Sequence, residues 1–215
     1  MPDSSAAPEF TALLFGLSGC LVDFGARTLP VARQHSEPAE TSLPALLASA
    51  TEYAEPIAGV AQLLGDLHQR GLPCAWLDEL PTEVGQRLAS PLPQWLLAAS
   101  NPGRPWPAPD ACWNALAELQ VERLDGCVLI ASEPRLLQAG LNAGLWCIGL
   151  ATCGPLCGLA LGDWQALSVA EREKRRADAT LELYHLGVHS VIDHPGELHA
   201  CLLDLAQRRR KGEKP

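Results

Sequence analysis

The segment FGLSGCLVDFG, residues 15–25, places small residues directly after an apolar run. A turn of that kind at a strand end offers its backbone amides to an anion. Ser18 and the Gly19 and Cys20 amides form the candidate holding turn. A carboxylate nucleophile at the strand tip would complete a phosphate-handling site, because attack on phosphorus needs an oxygen atom. Gly16 stands there instead, with no side chain. Arg104, in GRP, carries a planar guanidinium that suits a phosphate or carboxylate bidentately; its competing role is an internal salt bridge with Asp78 or Glu133. Asp78, in WLDELP, brings a charge that repels phosphate. Asp23 reads as a cap or pin of the turn after the first strand. Cys153 and Cys157, in CGPLC, are a close pair, but structural zinc needs four ligands and no second pair has matching spacing.

The elements that position these residues alternate short apolar runs with amphipathic stretches, the pattern of parallel strands joined by crossover helices. Strands are expected at 11–15, 73–77, 94–100, 126–132, 145–150 and 189–192. Helices are expected at 56–71, 82–89, 108–120, 134–144 and 168–186, with a last one from Pro195. SVAE, with Ser168 and Glu171, has the spacing of a capping box. Residues 26–55 break the rhythm with proline, serine, alanine and glutamate. They read as a cut-down insertion or a mobile loop, too short to hold a core of its own. The division expected is a flexible N-terminus at 1–10, a core domain at 11–206 and a basic C-terminal tail at 207–215.

Composition sets outer bounds. The 215 residues are 47% hydrophobic and 19% charged, enough for a full core in one α/β domain. A net charge of −9 argues against nucleic acid as a partner. The run Arg208-Arg209-Arg210-Lys211 is the exception and reads as solvated tail. No stretch reaches the roughly 18 apolar residues of a membrane span, and the N-terminus lacks the features of a secretory signal. A cytoplasmic protein with eight buried thiols is the expectation. His185, His189, His194 and His199 read as surface or packing residues.

Several stretches, in order, resemble the haloacid dehalogenase (HAD) superfamily and, within it, the phosphonoacetaldehyde hydrolase (phosphonatase) family. GLSGC followed by VDFG is similar to that family's first motif, Asp-Trp-Ala-Gly-Thr then Val-Asp-Phe-Gly. EPIAGVAQLLGDLHQRGLP is similar to the entry after its cap, and PGRPWP (102–107) to its third motif. AGLNAGLWCIGL (139–150) and residues 158–193 are similar to its C-terminal part.

The resemblance implies a three-layer, Rossmann-like α/β core with a parallel sheet, and a cap domain reduced to the short segment at about 26–55. It also implies what is lost. The family's nucleophilic aspartate corresponds to Gly16. One Mg²⁺-binding acid corresponds to Ser132 and the second falls near Leu136. The Schiff-base lysine of the cap has no counterpart, since lysine occurs only at 174, 211 and 214. Glu133 substitutes as a metal acid only if its loop is rearranged. Arg104 matches an anion-holding position.

The expectation is therefore a catalytically inactive HAD-like protein without bound Mg²⁺. It would act as a monomeric binding or protein-interaction module, through the uncovered sheet edge and residues 26–55. Ser18, Gly19, Cys20, Asp78, Arg104 and Ser132 are the ligand-binding candidates, with a small anion such as phosphate as ligand. A protein partner is open, and neither nucleic acid nor membrane is expected. Two alternatives stand beside this: altered hydrolysis using Asp23, Asp78 or Glu133, and a phosphate or phosphonate sensor acting through Arg104.

Overall fold

Strand β1, Ala12–Gly16, is apolar on both sides and wholly buried, as a strand must be when helices cover both sheet faces. In the computed structural model, which describes residues 10–28, 43–100 and 103–215, it lies near the middle of a six-stranded sheet. The other strands are β2 (Cys74–Leu77), β3 (Leu97–Ala98), β4 (Cys127–Ala131), β5 (Trp146–Leu150) and β6 (Ser190–Ile192). Their order is β3-β2-β1-β4-β5-β6, with every neighbouring pair parallel. Side chains alternate between faces along each strand. Leu13 and Phe15 pack into one core with Trp76, Val128, Ile130 and Ile148. Leu14 points the other way, into a second core with Leu129, Cys147 and Leu137.

The helices supply the two outer layers. They are α1 (Leu43–Tyr53), α2 (Val60–Gln69), α3 (Thr82–Leu88), α4 (Asp110–Glu118), α5 (Pro134–Asn142), α6 (Leu161–Ala166), α7 (Val169–Leu186) and α8 (Leu198–Arg210). Residues of α2, α3 and α8 fill the first core, and residues of α4, α5 and α7 the second. The result is the three-layer α/β architecture of the HAD-like fold. The capping box of α7 is made in full: the Glu171 amide donates to Ser168 Oγ, and the Ser168 amide donates to the Glu171 carboxylate at 3.0 Å. All eight cysteines are buried and free. No helix among the described residues is long and apolar enough to cross a membrane.

Several expectations need correction. The strand expected at 94–100 shrinks to two residues, because Pro91 and Pro93 shape the preceding turn and the Leu96 amide donates to the Pro93 carbonyl. The helix expected from residue 56 begins at Val60, after Gly59 at φ 89°.

Within the segment read as insertion or loop, residues 29–42 lie outside the described part, but Leu43–Tyr53 is a helix. It buries Leu46 and Ala50 in the first core and packs against α3. The basic run is not a solvated tail. Helix α8 continues to Arg210, Arg208 donates to the His189 carbonyl at 2.7 Å, and Arg209 is 3.0 Å from Asp125 with a buried side chain. The guanidinium groups of Arg208 and Arg209 lie over the Trp146 and Phe10 rings, in reach of a cation–π contact.

Candidate functional site

In a parallel sheet, ligands meet the carboxyl ends of the strands where connections diverge. Here the registers Gly16↔Leu77 and Phe15↔Ile130 bring Gly16, Asp78 and Ser132 to one sheet edge. Three loops meet there: the turn after β1, the end of β4, and residues 151–160 after β5. The question for each polar group is where its hydrogen bond goes.

The turn after β1 satisfies itself. The Gly19 amide donates to the Val22 and Asp23 carbonyls at 2.8 and 3.0 Å, and the Cys20 amide to the Leu17 carbonyl at 3.4 Å. The amides expected to face an anion are thus directed into the turn. Asp23 holds this arrangement. Its side chain is buried and accepts from Ser18 Oγ at 2.8 Å, the Arg27 amide at 2.8 Å and the Thr28 amide at 2.9 Å. The residue adopts φ 55°, a left-handed conformation that Asp tolerates through such local bonds. Asp23 is the pin of the turn, as its sequence position suggested.

Asp78 meets the same turn from the side. Its Oδ1 accepts from the Leu80 amide at 2.7 Å. Burial pushes its carboxyl up to about 7, while hydrogen bonds from the Leu80, Glu79 and Ser18 amides pull the other way. Next to it, Glu79 pairs with Arg135 at 3.0 Å and accepts from the Trp106 amide at 2.5 Å. Arg135 also donates to the Trp106 carbonyl, which ties Trp106 to the start of α5.

Arg104 pairs with neither Asp78 nor Glu133. Its guanidinium bonds Asp110 at 3.0 Å on the surface, and its side chain is 73% exposed. Glu133 is buried at the N-cap of α5, where its carboxylate accepts from the Arg135 amide.

Ser132 is 1% exposed, and its hydroxyl has no hydrogen-bond partner. Loop 151–160 is the cause of that burial. The Gly154 amide donates to the Phe24 carbonyl at 2.6 Å, stitching the loop to the β1 turn. A Cβ placed on Gly19 would stand 2.5 Å from Gly154 Cα and 2.7 Å from Ser132 Oγ. Backbone thus fills the space between the β1 turn and the β4 tip. At Gly16 itself a Cβ would touch Ala131 Cβ and Leu136 Cδ2 at 3.3 Å each, a tight and apolar setting.

Mg²⁺ takes hard oxygen donors, usually with one or two carboxylates from the protein. The positions that would supply them hold Gly16, the neutral hydroxyl of Ser132 and the apolar Leu136. Among the described residues no group of three or more His, Cys, Asp or Glu is placed to hold a metal. The donor set does not fit the ion.

Of the candidates, Ser18, Gly19, Cys20 and Ser132 come together under loop 151–160, Asp78 borders them, and Arg104 stands apart on Asp110. The residues missed from sequence are Gly154, Glu79 and Arg135. The glycine-rich run CGPLCG was the one available signal for the first.

No family model matches the chain. It is 31% identical over 187 residues to a phosphonoacetaldehyde hydrolase of Klebsiella pneumoniae, covering 80% of this chain and 67% of that one. A phosphonoacetaldehyde hydrolase of Bordetella pertussis is 31% identical over 182 residues, covering 82% of this chain; the chain spans 66% of that relative's length. Among solved structures, a phosphonoacetaldehyde hydrolase-like protein from Oleispira antarctica superposes with TM-score 0.85 at 21% identity, covering both chains completely. A HAD family hydrolase from Deinococcus radiodurans, solved with bound phosphate and sodium, gives TM-score 0.59 at 22% identity, covering 94% of this chain and 98% of that one. This chain belongs to the HAD superfamily, as a phosphonoacetaldehyde hydrolase-like protein.

Proposed function

We propose that this protein is a catalytically inactive member of its family that has become a binding protein. One observation carries the reading: backbone fills the crevice at the β1 tip, with Gly154 laid against Ser132 and Gly19. The chemistry of the positions agrees. Attack on phosphorus needs a carboxylate that Gly16 lacks, and where catalytic groups act as a unit, losing one costs on the order of 10⁶ in rate. Lysine is absent from residues 26–55, so the imine of phosphonoacetaldehyde chemistry has no amine there.

The carboxylates left near the site have other duties. Asp23 is consumed by three donors, Glu133 caps α5, and Asp78 accepts from the Leu80 amide. Arg104 bonds Asp110 from an exposed position, which weakens the sensor reading. The protein proposed is monomeric and cytoplasmic, works without Mg²⁺, and recognises a small ligand or a protein partner.

Intact-mass analysis after incubation with acetyl phosphate and Mg²⁺ tests this reading. The expected spectrum shows only the unmodified chain. A phosphoryl adduct on the native polypeptide overturns the proposal.

A further inference from the structure

A second cavity, of about 270 Å³, lies beside the filled crevice, between the β1 turn, the end of α1, helix α6 and the first turns of α7. Phe24, Arg27, Tyr53, Trp164, Arg172 and His194 line it. From these residues we infer a binding site for a small aromatic carboxylate, an acid on a single ring.

Two observations point to an anion. Arg172 has its Nε–H buried with no hydrogen-bond partner. No hydrogen bond or ion pair occupies its guanidinium among the described residues, although buried donors are almost always paired. A carboxylate arriving through the cavity pairs with the terminal nitrogens of that guanidinium, which no hydrogen bond occupies among the described residues, and neutralises its charge. His194 adds a second donor at the rim. Its Nδ1 accepts from the Gly196 amide at 3.1 Å, which leaves Nε2 as the proton-bearing nitrogen of the neutral ring. Arg27 spends one terminal nitrogen on the Gly158 carbonyl, at a long 3.4 Å.

The rest of the wall selects the body of the ligand. Phe24 and Trp164 face each other with ring centroids 6.3 Å apart and planes tilted by 49°, the range in which aromatic rings attract. Tyr53 adds a third ring. Glu52 and Glu55 stand exposed at the mouth, and they disfavour a dianion such as phosphate more than a monoanion. Pockets for drug-sized ligands span roughly 300–1,000 Å³, so this cavity, just below that range, suits a smaller guest such as a single-ring acid. Asp23 also lines it; its carboxylate oxygens are directed at the donors of the turn, and its charge, like those of Glu52 and Glu55, favours a monoanion over a dianion.

This inference does not depend on whether the protein hydrolyses anything, since none of the cavity residues stands at a nucleophile or metal-acid position. Calorimetric titration of the full chain with benzoate, inorganic phosphate and benzylamine tests it, together with the shift of the Trp164 indole N–H in a ¹⁵N–¹H spectrum. Benzoate is expected to bind saturably and move the Trp164 signal, phosphate to bind more weakly, and benzylamine not to bind. Arg172→Gln is expected to weaken benzoate by at least about tenfold, while its melting temperature shows that it folds. If Arg172→Gln fails to fold, Trp164→Ala replaces it with the same expected loss. Absence of saturable benzoate binding, an unmoved Trp164 signal, or equal binding by the folded variant overturns the proposal. Phosphate binding more tightly than benzoate also overturns it.

Discussion

A Cβ on Gly154 would lie 2.0 Å from the Ser132 hydroxyl oxygen. The glycine is at φ 84°, a conformation that L side chains rarely adopt. Loop 151–160 therefore closes over the β4 tip only because position 154 lacks a side chain.

That relationship predicts the outcome of Gly154→Ala. The added methyl meets Ser132 and forces the backbone from its left-handed state, at a cost of about 2–4 kcal/mol. Equilibrium unfolding in urea measures it. Adding Ser132→Gly to the same chain removes the clash and recovers part of the loss. Equal stability of the parent and Gly154→Ala would mean that the loop does not close as described.

Asp23 separates a structural carboxylate from a catalytic one. Its replacement by alanine strands one hydroxyl and two amides of the turn, which predicts a loss of about 2–4 kcal/mol. In a domain of this size that corresponds to a melting-temperature drop of about 2–4 °C per kcal/mol. An Asp23→Ala protein that melts with the parent contradicts the role assigned to it.

Asp78 gives a dependence on pH. Its folded-state carboxyl is raised from 3.8 to about 7, so the folded chain holds this proton where the unfolded chain has released it. The stabilisation is fully present below the unfolded value and is lost as pH rises through the folded one. The parent should therefore lose stability relative to Asp78→Asn between about pH 4 and about pH 7, with the difference constant above that. Melting curves of the two proteins across that window decide the matter. Parallel curves would place the Asp78 carboxyl in solvent.

Much of this was legible in the sequence. Buried parallel strands read as unbroken apolar runs, and the Ser168–Glu171 box is a local signal that tertiary packing had no reason to override. The vacancy at Gly16 and the missing lysine needed only residue identities. What sequence left hidden was long-range. Nothing in CGPLCG says that Gly154 will rest on Ser132, which lies 22 positions earlier in the chain. The basic run 208–211 looked solvated because Asp125 and the His189 carbonyl, its partners, come from remote segments. Arg104 bonds Asp110, neither a ligand-holding position nor either of the two carboxylates the sequence offers, because the beginning of α4 places Asp110 beside it.

On the proposed reading, the filled crevice at the end of β1 supports no hydrolysis. The most direct measurement is release of phosphate and acetaldehyde from phosphonoacetaldehyde by the purified protein, with and without Mg²⁺. No release above the protein-free control is expected in either condition. Mg²⁺-dependent turnover that persists through purification to homogeneity would contradict it.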